Sequence, residues 1–216
     1  MDFELARRNM VVSQVQTNEV TDPLVIEAIG RVPRERFLPA ARQAQAYVDE
    51  DVLVADGRWL MEPMVAAKLL QLADVQRSDH ALVLPCGSGY MATVLSHMAG
   101  SVVAVEGDGP VRDNATKVLA DLGADTVAIV SGKITDGCPG QAPFDIIVFD
   151  GAVAEIPQVI LEQLAEGGRC VAMVQNGPIG RATVVQRTGP AFGRRAGFDA
   201  SIPSLSEFAA KPAFAF

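Results

Sequence analysis

The sequence predicts an α/β fold, a parallel sheet with helices on both faces behind a helical N-terminal extension. Three observations predict it. From residue 81 onward, short and fully apolar runs alternate with helix-length segments, as strands buried on both faces require. A glycine turn, Gly87-Ser88-Gly89, follows the first of these runs and opens the next helical segment. The 216 residues are 49% apolar and 20% charged, enough for a proper core, yet no apolar run approaches the ~20 residues that span a bilayer.

Each element has its own signal. Thr21-Asp22-Pro23 starts a helix, with a capping side chain and a proline where its missing N–H costs nothing. Leu24, Val25, Ala28, Ile29 and Val32 continue it at helical spacing until Pro33. A second helix starts at Pro63, with Met64, Ala67 and Leu70 on its apolar stripe. Between them, residues 33–62 read as irregular and hold Tyr47, the acidic run Asp49-Glu50-Asp51, and Asp56-Gly57. A connection that long is usually functional or poorly ordered. Strands are expected at 81–84, 101–105, 126–130, 145–149 and 169–174, the second ending in Glu106 and the fourth in Asp150. Helices are expected at 90–99, at 110–122 closed by Gly123, and at 157–165 stopped by Gly167-Gly168. Residues 182–187 and the Pro/Phe-rich tail read as antiparallel strands or extended chain. With no internal repeat, one domain over 1–216 is expected, an extension at 1–80 and a Rossmann-like core at 81–216.

Charge and composition exclude several classes. Eighteen basic against 26 acidic residues, a formal charge of −8, oppose a nucleic-acid binder, which needs a basic face. The same balance lends no support to docking on an anionic membrane. The N-terminus, MDFELARRNM, lacks the apolar core of a signal peptide, so a cytoplasmic protein is expected. Cys86, Cys138 and Cys170 are odd in number and lack C-x-x-C spacing, which argues against a disulfide framework or structural zinc. With His80 and His97 the only histidines, no metal site is expected.

The glycine turn carries the first chemical signal. Gly87, Gly89 and Ala92 fit G-x-G-x-x-A, and Glu106 follows 19 residues after Gly87 at the end of the second strand. Glycines let backbone N–H groups approach a ligand, and a strand-end carboxylate can accept from both hydroxyls of a ribose. Together they describe an adenosine ligand, either a dinucleotide or S-adenosylmethionine. The plainer alternative is a tight turn that needs glycine anyway and a solvated acid.

The chain also resembles the protein-L-isoaspartate O-methyltransferases along nearly its whole length. Val32-Pro33-Arg34-Glu35-Arg36-Phe37-Leu38-Pro39 is similar to that family's V-P-R-x-x-F-x-P segment, and Ala46-Tyr47-Val48-Asp49 to its A-Y-x-D segment. Gly87-Ser88-Gly89-Tyr90 matches its G-S-G-Y loop. Pro143-Phe144-Asp145, Glu155-Ile156-Pro157 and Leu161-Glu162-Gln163-Leu164 with Gly167-Gly168-Arg169 complete the pattern in order. The resemblance implies a class I S-adenosylmethionine-dependent methyltransferase fold, with a seven-stranded sheet and a reversed last hairpin. It implies S-adenosylmethionine as donor and isoaspartyl carboxylates of damaged proteins or peptides as acceptor. It places the backbone of Cys86, Gly87, Ser88 and Gly89 beside the methionine part of the cofactor, and Glu106 on the ribose.

Departures from the pattern fall at the working positions. The family's Q-[ST]-[IV]-S-x-P segment, whose hydroxyls line the acceptor site, aligns with Arg58-Trp59-Leu60-Met61-Glu62-Pro63. Trp59 and Met61 stand where hydroxyls would be and cannot hydrogen-bond a carboxylate as serine does, so Trp59, Leu60 and Met61 mark an acceptor site with no evident catalytic group. Before the glycine loop, Val83 replaces an acid and Pro85 a glycine. Lys133 replaces the aspartate that would accept from the adenine amine, and Asp150 stands where a small or hydroxylic residue is usual. Three readings follow: an isoaspartyl methyltransferase with weak or lost activity, a non-catalytic relative with a binding or regulatory role, and an enzyme using another adenosine ligand such as NAD. The oligomeric state is not legible in the sequence.

Overall fold

Two aspartates open the first helices. In the computed structural model, which describes residues 1–175 and 177–210, Asp2 accepts from Leu5 N–H at 3.0 Å and caps α1 (Phe3–Met10). Asp22 accepts from Leu24 N–H at 2.8 Å and caps α2 (Pro23–Arg31), with Pro23 in its first turn. The inner face of α2 buries Val25, Ala28 and Ile29, each such aliphatic contributing roughly 1–3 kcal/mol.

Residues 33–62 are not irregular, as the sequence suggested. After two 3-10 turns, Arg34–Phe37 and Ala40–Gln45, the chain forms an antiparallel hairpin of β1 (Val52–Ala55) and β2 (Arg58–Leu60). Its tip is Asp56-Gly57, with Gly57 at φ +68°, a backbone that favours glycine. The strands are too short for an alternating pattern to declare itself. Helix α3 (Pro63–Ala73) follows, starting at Pro63 as expected.

The main sheet contains β3 (His80–Leu84), β4 (Ser101–Glu106), β5 (Val127–Ser131), β6 (Phe144–Val153), β7 (Leu164–Gln175), β8 (Gly180–Thr188) and β9 (Ala191–Ala200), in the order β5-β4-β3-β6-β7-β8-β9. Pairings from β5 through β7 are parallel, and those of β7 with β8 and β8 with β9 are antiparallel. Helices α4 (Tyr90–Ser96) and α5 (Pro110–Leu122) cross between the early strands. The helix expected at 157–165 is only α6 (Gln158–Leu161), because Leu164 already belongs to β7. There Gly167 takes φ +76°, and a Cβ on Gly168 would meet Phe144 O and Ala165 O at 2.9 Å, so the chain must turn sharply into the sheet. The tail expected to be antiparallel supplies β8 and β9, while its last six residues lie outside those described.

Alternate strand residues serve two cores. Ala81 and Val83 pack with Val65, Leu69, Met91 and Leu95. Leu82, Leu84, Ile147 and Phe149 pack with Ile160, Leu161, Leu205 and Phe208. The strand order reverses at β3, with β4 and β5 on one side and β6 on the other. In such sheets a crevice opens beyond the carboxyl ends of the strands at that reversal, where Gly87, Glu106 and Asp150 arrive. No helix among the described residues is long and apolar enough to cross a membrane.

Candidate functional site

The glycine loop is built as the spacing predicted. Cys86 N–H donates to Val105 O at 2.7 Å, tying the loop to β4. Gly87 and Gly89 take φ +56° and +89°, and a Cβ on Gly89 would stand 2.5 Å from Leu119 Cδ1. Ser88 is buried, its Oγ accepting from Tyr90 N–H at 3.3 Å. Cys86 is fully buried, and burial, with Glu106 and Asp150 nearby, pushes its thiol well above the usual range.

Glu106 sits at the end of β4, where a ribose-holding carboxylate was expected, but its oxygens are already engaged. Oε2 accepts from Gly87 N–H at 2.8 Å and from Arg58 Nε at 3.1 Å. Oε1 accepts from Arg58 Nη2 at 2.8 Å and from Gly107 N–H at 3.2 Å. A carboxylate offers about four acceptor sites, and these four contacts occupy them. Arg58 also gives Nη2 to Glu207 Oε1 at 2.7 Å and Nη1 to Gly57 O at 3.1 Å. Its side chain is 10% exposed and that of Glu106 5%. The guanidinium brings its stem to 3.9 Å from where a Cβ on Gly87 would lie. Beside the ion pair lie a cleft of about 210 Å³ between Asp56, Gly57, Arg58, Glu106, Val111 and Glu207 and a cavity of about 400 Å³ lined by Val54, Ala55, Ser88, Pro110 and Val111.

Strand alternation puts Arg58 inside. In β2, residues 58 and 60 face inward and 59 faces out. A fully buried arginine, Arg34, holds the segment from both ends, donating to Ala46 O and Met61 O at 2.8 Å each. Its guanidinium lies 4.7 Å from the centre of the Tyr90 ring.

The expected acceptor triplet is divided. Trp59 remains 37% exposed, as a lid rather than a core residue. Met61 is buried, and the two flank a cavity of about 10 Å³ shared with Asp51, Asp150 and Gly151, room for about one water. Leu60 points the other way into the core and does not line this cavity. Asp150 Oδ2 lies 3.7 Å from where a Cβ on Gly87 would sit. Burial pushes its carboxyl up to about 7, Asp51 and Glu106 adding to the rise and Arg34 and Arg58 opposing it. Glu62 is likewise pushed up to about 7 by burial, Asp51 and Asp49. The cavity therefore offers apolar surface and, in Asp150, a carboxyl group that holds its proton up to about neutral pH.

Lys133 does not face the cleft. Its ammonium stays in solvent 3.7 Å from Asp136, where it keeps its hydration and gains an ion pair three residues on. Tyr47 packs half-buried, donating to Glu35 and accepting from Arg7, and so docks α1. Among the described residues, no group of three or more His, Cys, Asp or Glu is placed to hold a metal.

Sequence reasoning missed Arg58, Arg34 and Glu207 as site residues. Asp56-Gly57 between short apolar runs was a hairpin signal, and it would have turned Arg58 inward toward the acid at Glu106. Glu207 reaches Arg58 across 149 positions, and no local pattern announces that.

The model of the family described as protein-L-isoaspartate(D-aspartate) O-methyltransferase matches residues 6–193. Protein-L-isoaspartate O-methyltransferase 2 of Anaeromyxobacter sp. (strain Fw109-5) is 38% identical over 168 residues, 78% of this chain and 69% of that one. Protein-L-isoaspartate O-methyltransferase of Methanoregula boonei is 34% identical over 186 residues, 86% of each chain. Among solved structures, a protein-L-isoaspartate O-methyltransferase superposes with a TM-score of 0.82 at 22% identity, covering 94% of this chain and 67% of that one. A Plasmodium falciparum protein described as a protein-L-isoaspartate O-methyltransferase, in complex with S-adenosyl-L-homocysteine, gives 0.77 at 17% identity, covering 96% and 99%. Both structures share the fold, a class I methyltransferase sheet.

Proposed function

The chain belongs to the protein-L-isoaspartate(D-aspartate) O-methyltransferase family, and from that premise we propose that it is a member whose S-adenosylmethionine site is closed by its own Arg58, so that methyl transfer is weak or lost. The observation that carries this is the two-pronged contact of Arg58 with Glu106. The pieces of a nucleoside site are present, with two left-handed glycines and a strand-end acid. In this conformation they do not fit the cofactor, because the guanidinium holds the acceptors that a ribose needs.

Opening the site means breaking a buried ion pair. Glu106 keeps two backbone donors when the pair opens, and an opening cost of about 3 kcal/mol would lower apparent affinity roughly 150-fold. The acceptor side points the same way. An isoaspartyl carboxylate brought to Trp59 and Met61 would lose its water, meet Asp51 and Asp150, and find no hydroxyl among these side chains to replace it. These features favour a methyltransferase-like protein with a binding or regulatory role over an active repair enzyme, and nothing in the site favours a nicotinamide cofactor.

Calorimetric titration with S-adenosylmethionine and S-adenosylhomocysteine tests this, together with transfer of radiolabelled methyl to an isoaspartyl peptide. The wild-type chain is expected to bind either compound more weakly than about 100 µM and to label the peptide at background. Arg58→Gln is expected to tighten nucleoside binding. Low-micromolar affinity with steady turnover by the unmodified chain would overturn the proposal.

A further inference from the structure

Beyond β9 the chain turns back over the carboxyl end of the sheet. Ala152 N–H donates to Pro203 O at 3.0 Å, Leu205 N–H to Ala152 O at 2.8 Å, and Ala154 N–H to Phe208 O at 3.1 Å. Leu205 and Phe208 are buried, and Phe208 meets the Phe149 ring edge-on at 5.2 Å. β6 is shaped to let this strap pass. Gly151 has φ +150°, and a Cβ there would stand 2.7 Å from Leu205 Cγ. The pairing of β6 with β7 shifts register between Val148 and Ala152. The strap ends in the 3-10 turn Ser206–Phe208, which presents Glu207 to Arg58.

We infer that residues 202–208 are an internal latch, in which Glu207 holds Arg58 in the crevice and docking of the strap decides whether the nucleoside site is closed. This rests on the reading that Arg58 closes the site, and adds that the closure is set from the C-terminal strap. Arg58 bridges two carboxylates that belong to different parts of the chain, Glu106 on β4 and Glu207 on the strap. Glu106 has two backbone donors besides Arg58, so it keeps partners if the arginine leaves. Glu207 has no partner of that kind beyond its own turn: Ser206 Oγ and Arg58 are its side-chain contacts among the described residues. The strap therefore loses its hold on the crevice when Arg58 leaves, and Arg58 loses one of its two anions when the strap lifts. Ser206 and Glu207 also form one wall of the remaining cleft, so lifting the strap widens it.

The test is a double-mutant cycle read by calorimetry with S-adenosyl-L-homocysteine as the probe, on wild type, Glu207→Gln, Arg58→Gln and the double variant. Glu207→Gln is expected to tighten binding about tenfold, the equivalent of one charge-assisted contact, and the double variant to bind no tighter than Arg58→Gln alone. Hydrogen exchange of residues 202–208 serves as a second measurement, and should quicken in Arg58→Gln while the amides of β3 and β4 stay protected. If Arg58→Gln tightens binding while Glu207→Gln changes nothing and the strap's exchange is unaltered, the latch is wrong and the closure by Arg58 stands. If neither variant gains affinity, both are wrong.

Discussion

Arg58 and Glu106, 48 positions apart, meet through two hydrogen bonds at the point where this fold presents a carboxylate to its ligand. The pair is buried, and Glu207 adds a second anion from the far end of the chain. Burial works against the guanidinium's charge, but Glu106 and after it Glu207 outweigh that and push it even further from deprotonation. A fork of this kind matches a carboxylate in shape and charge.

Removing the arginine should weaken the fold moderately. In Arg58→Ala, Glu106 keeps Gly87 and Gly107 as donors and gains access to water. A loss of about 1–3 kcal/mol is expected, visible as a lower urea midpoint. Added S-adenosylhomocysteine should recover more stability in the variant than in the parent, since only a ligand that binds the native state stabilises it. A variant as stable as the parent and indifferent to the nucleoside would deny the pair both roles.

The stability contributed by Asp150 and Glu62 should fall as pH rises from about 4 toward 8. Asp150 and Glu62 are pushed up to about 7 from ordinary values of 3.8 and 4.5, in both cases chiefly by burial. The native state therefore keeps protons that the unfolded chain has released, and in that window each increase in pH favours unfolding. The contribution is complete below the unfolded values and lost as pH passes 7. Asp150→Asn should flatten the profile and gain about 1–3 kcal/mol at pH 8 relative to wild type, since a tenfold change in proton affinity is about 1.4 kcal/mol. Denaturant midpoints at pH 5 and pH 8 decide it, and parallel profiles would mean that Asp150 titrates normally.

The three cysteines should be inert in the native protein. Cys86 and Cys170 are fully buried and Cys138 nearly so, and burial raises all three thiols. A colorimetric thiol reagent at neutral pH should find almost none before denaturation and all three after it. Fast native labelling of Cys86 would reopen a cysteine-based chemistry beside the glycine loop.

Tyr47→Phe should loosen the N-terminal helix. The hydroxyl joins Glu35 to Arg7, and Arg7 also reaches Gly30 O at 2.9 Å. Losing the hydroxyl should cost about 1–2 kcal/mol and make the first fifteen residues the earliest site of proteolytic cleavage. Unchanged cleavage kinetics would show that apolar packing alone docks α1.

The α/β layering, the helix starts at Pro23 and Pro63, the glycine turn at 87–89 and the acid at 106 are legible in the sequence, because these are local consequences of periodicity, capping and backbone sterics. The family was legible for a related reason: its motifs are short, contiguous segments. Which partners those residues meet is a matter of tertiary structure. Whether Glu106 meets a ribose or a guanidinium depends on a hairpin 48 residues earlier and a strap about a hundred residues later, contacts that carry no local periodicity. The same holds for Lys133, whose side chain turned to solvent, and for Leu60, carried into the core by the alternation that sent Arg58 into the crevice. Local propensity shaped the elements, and long-range electrostatics in a low-dielectric crevice chose the partner of the carboxylate within it.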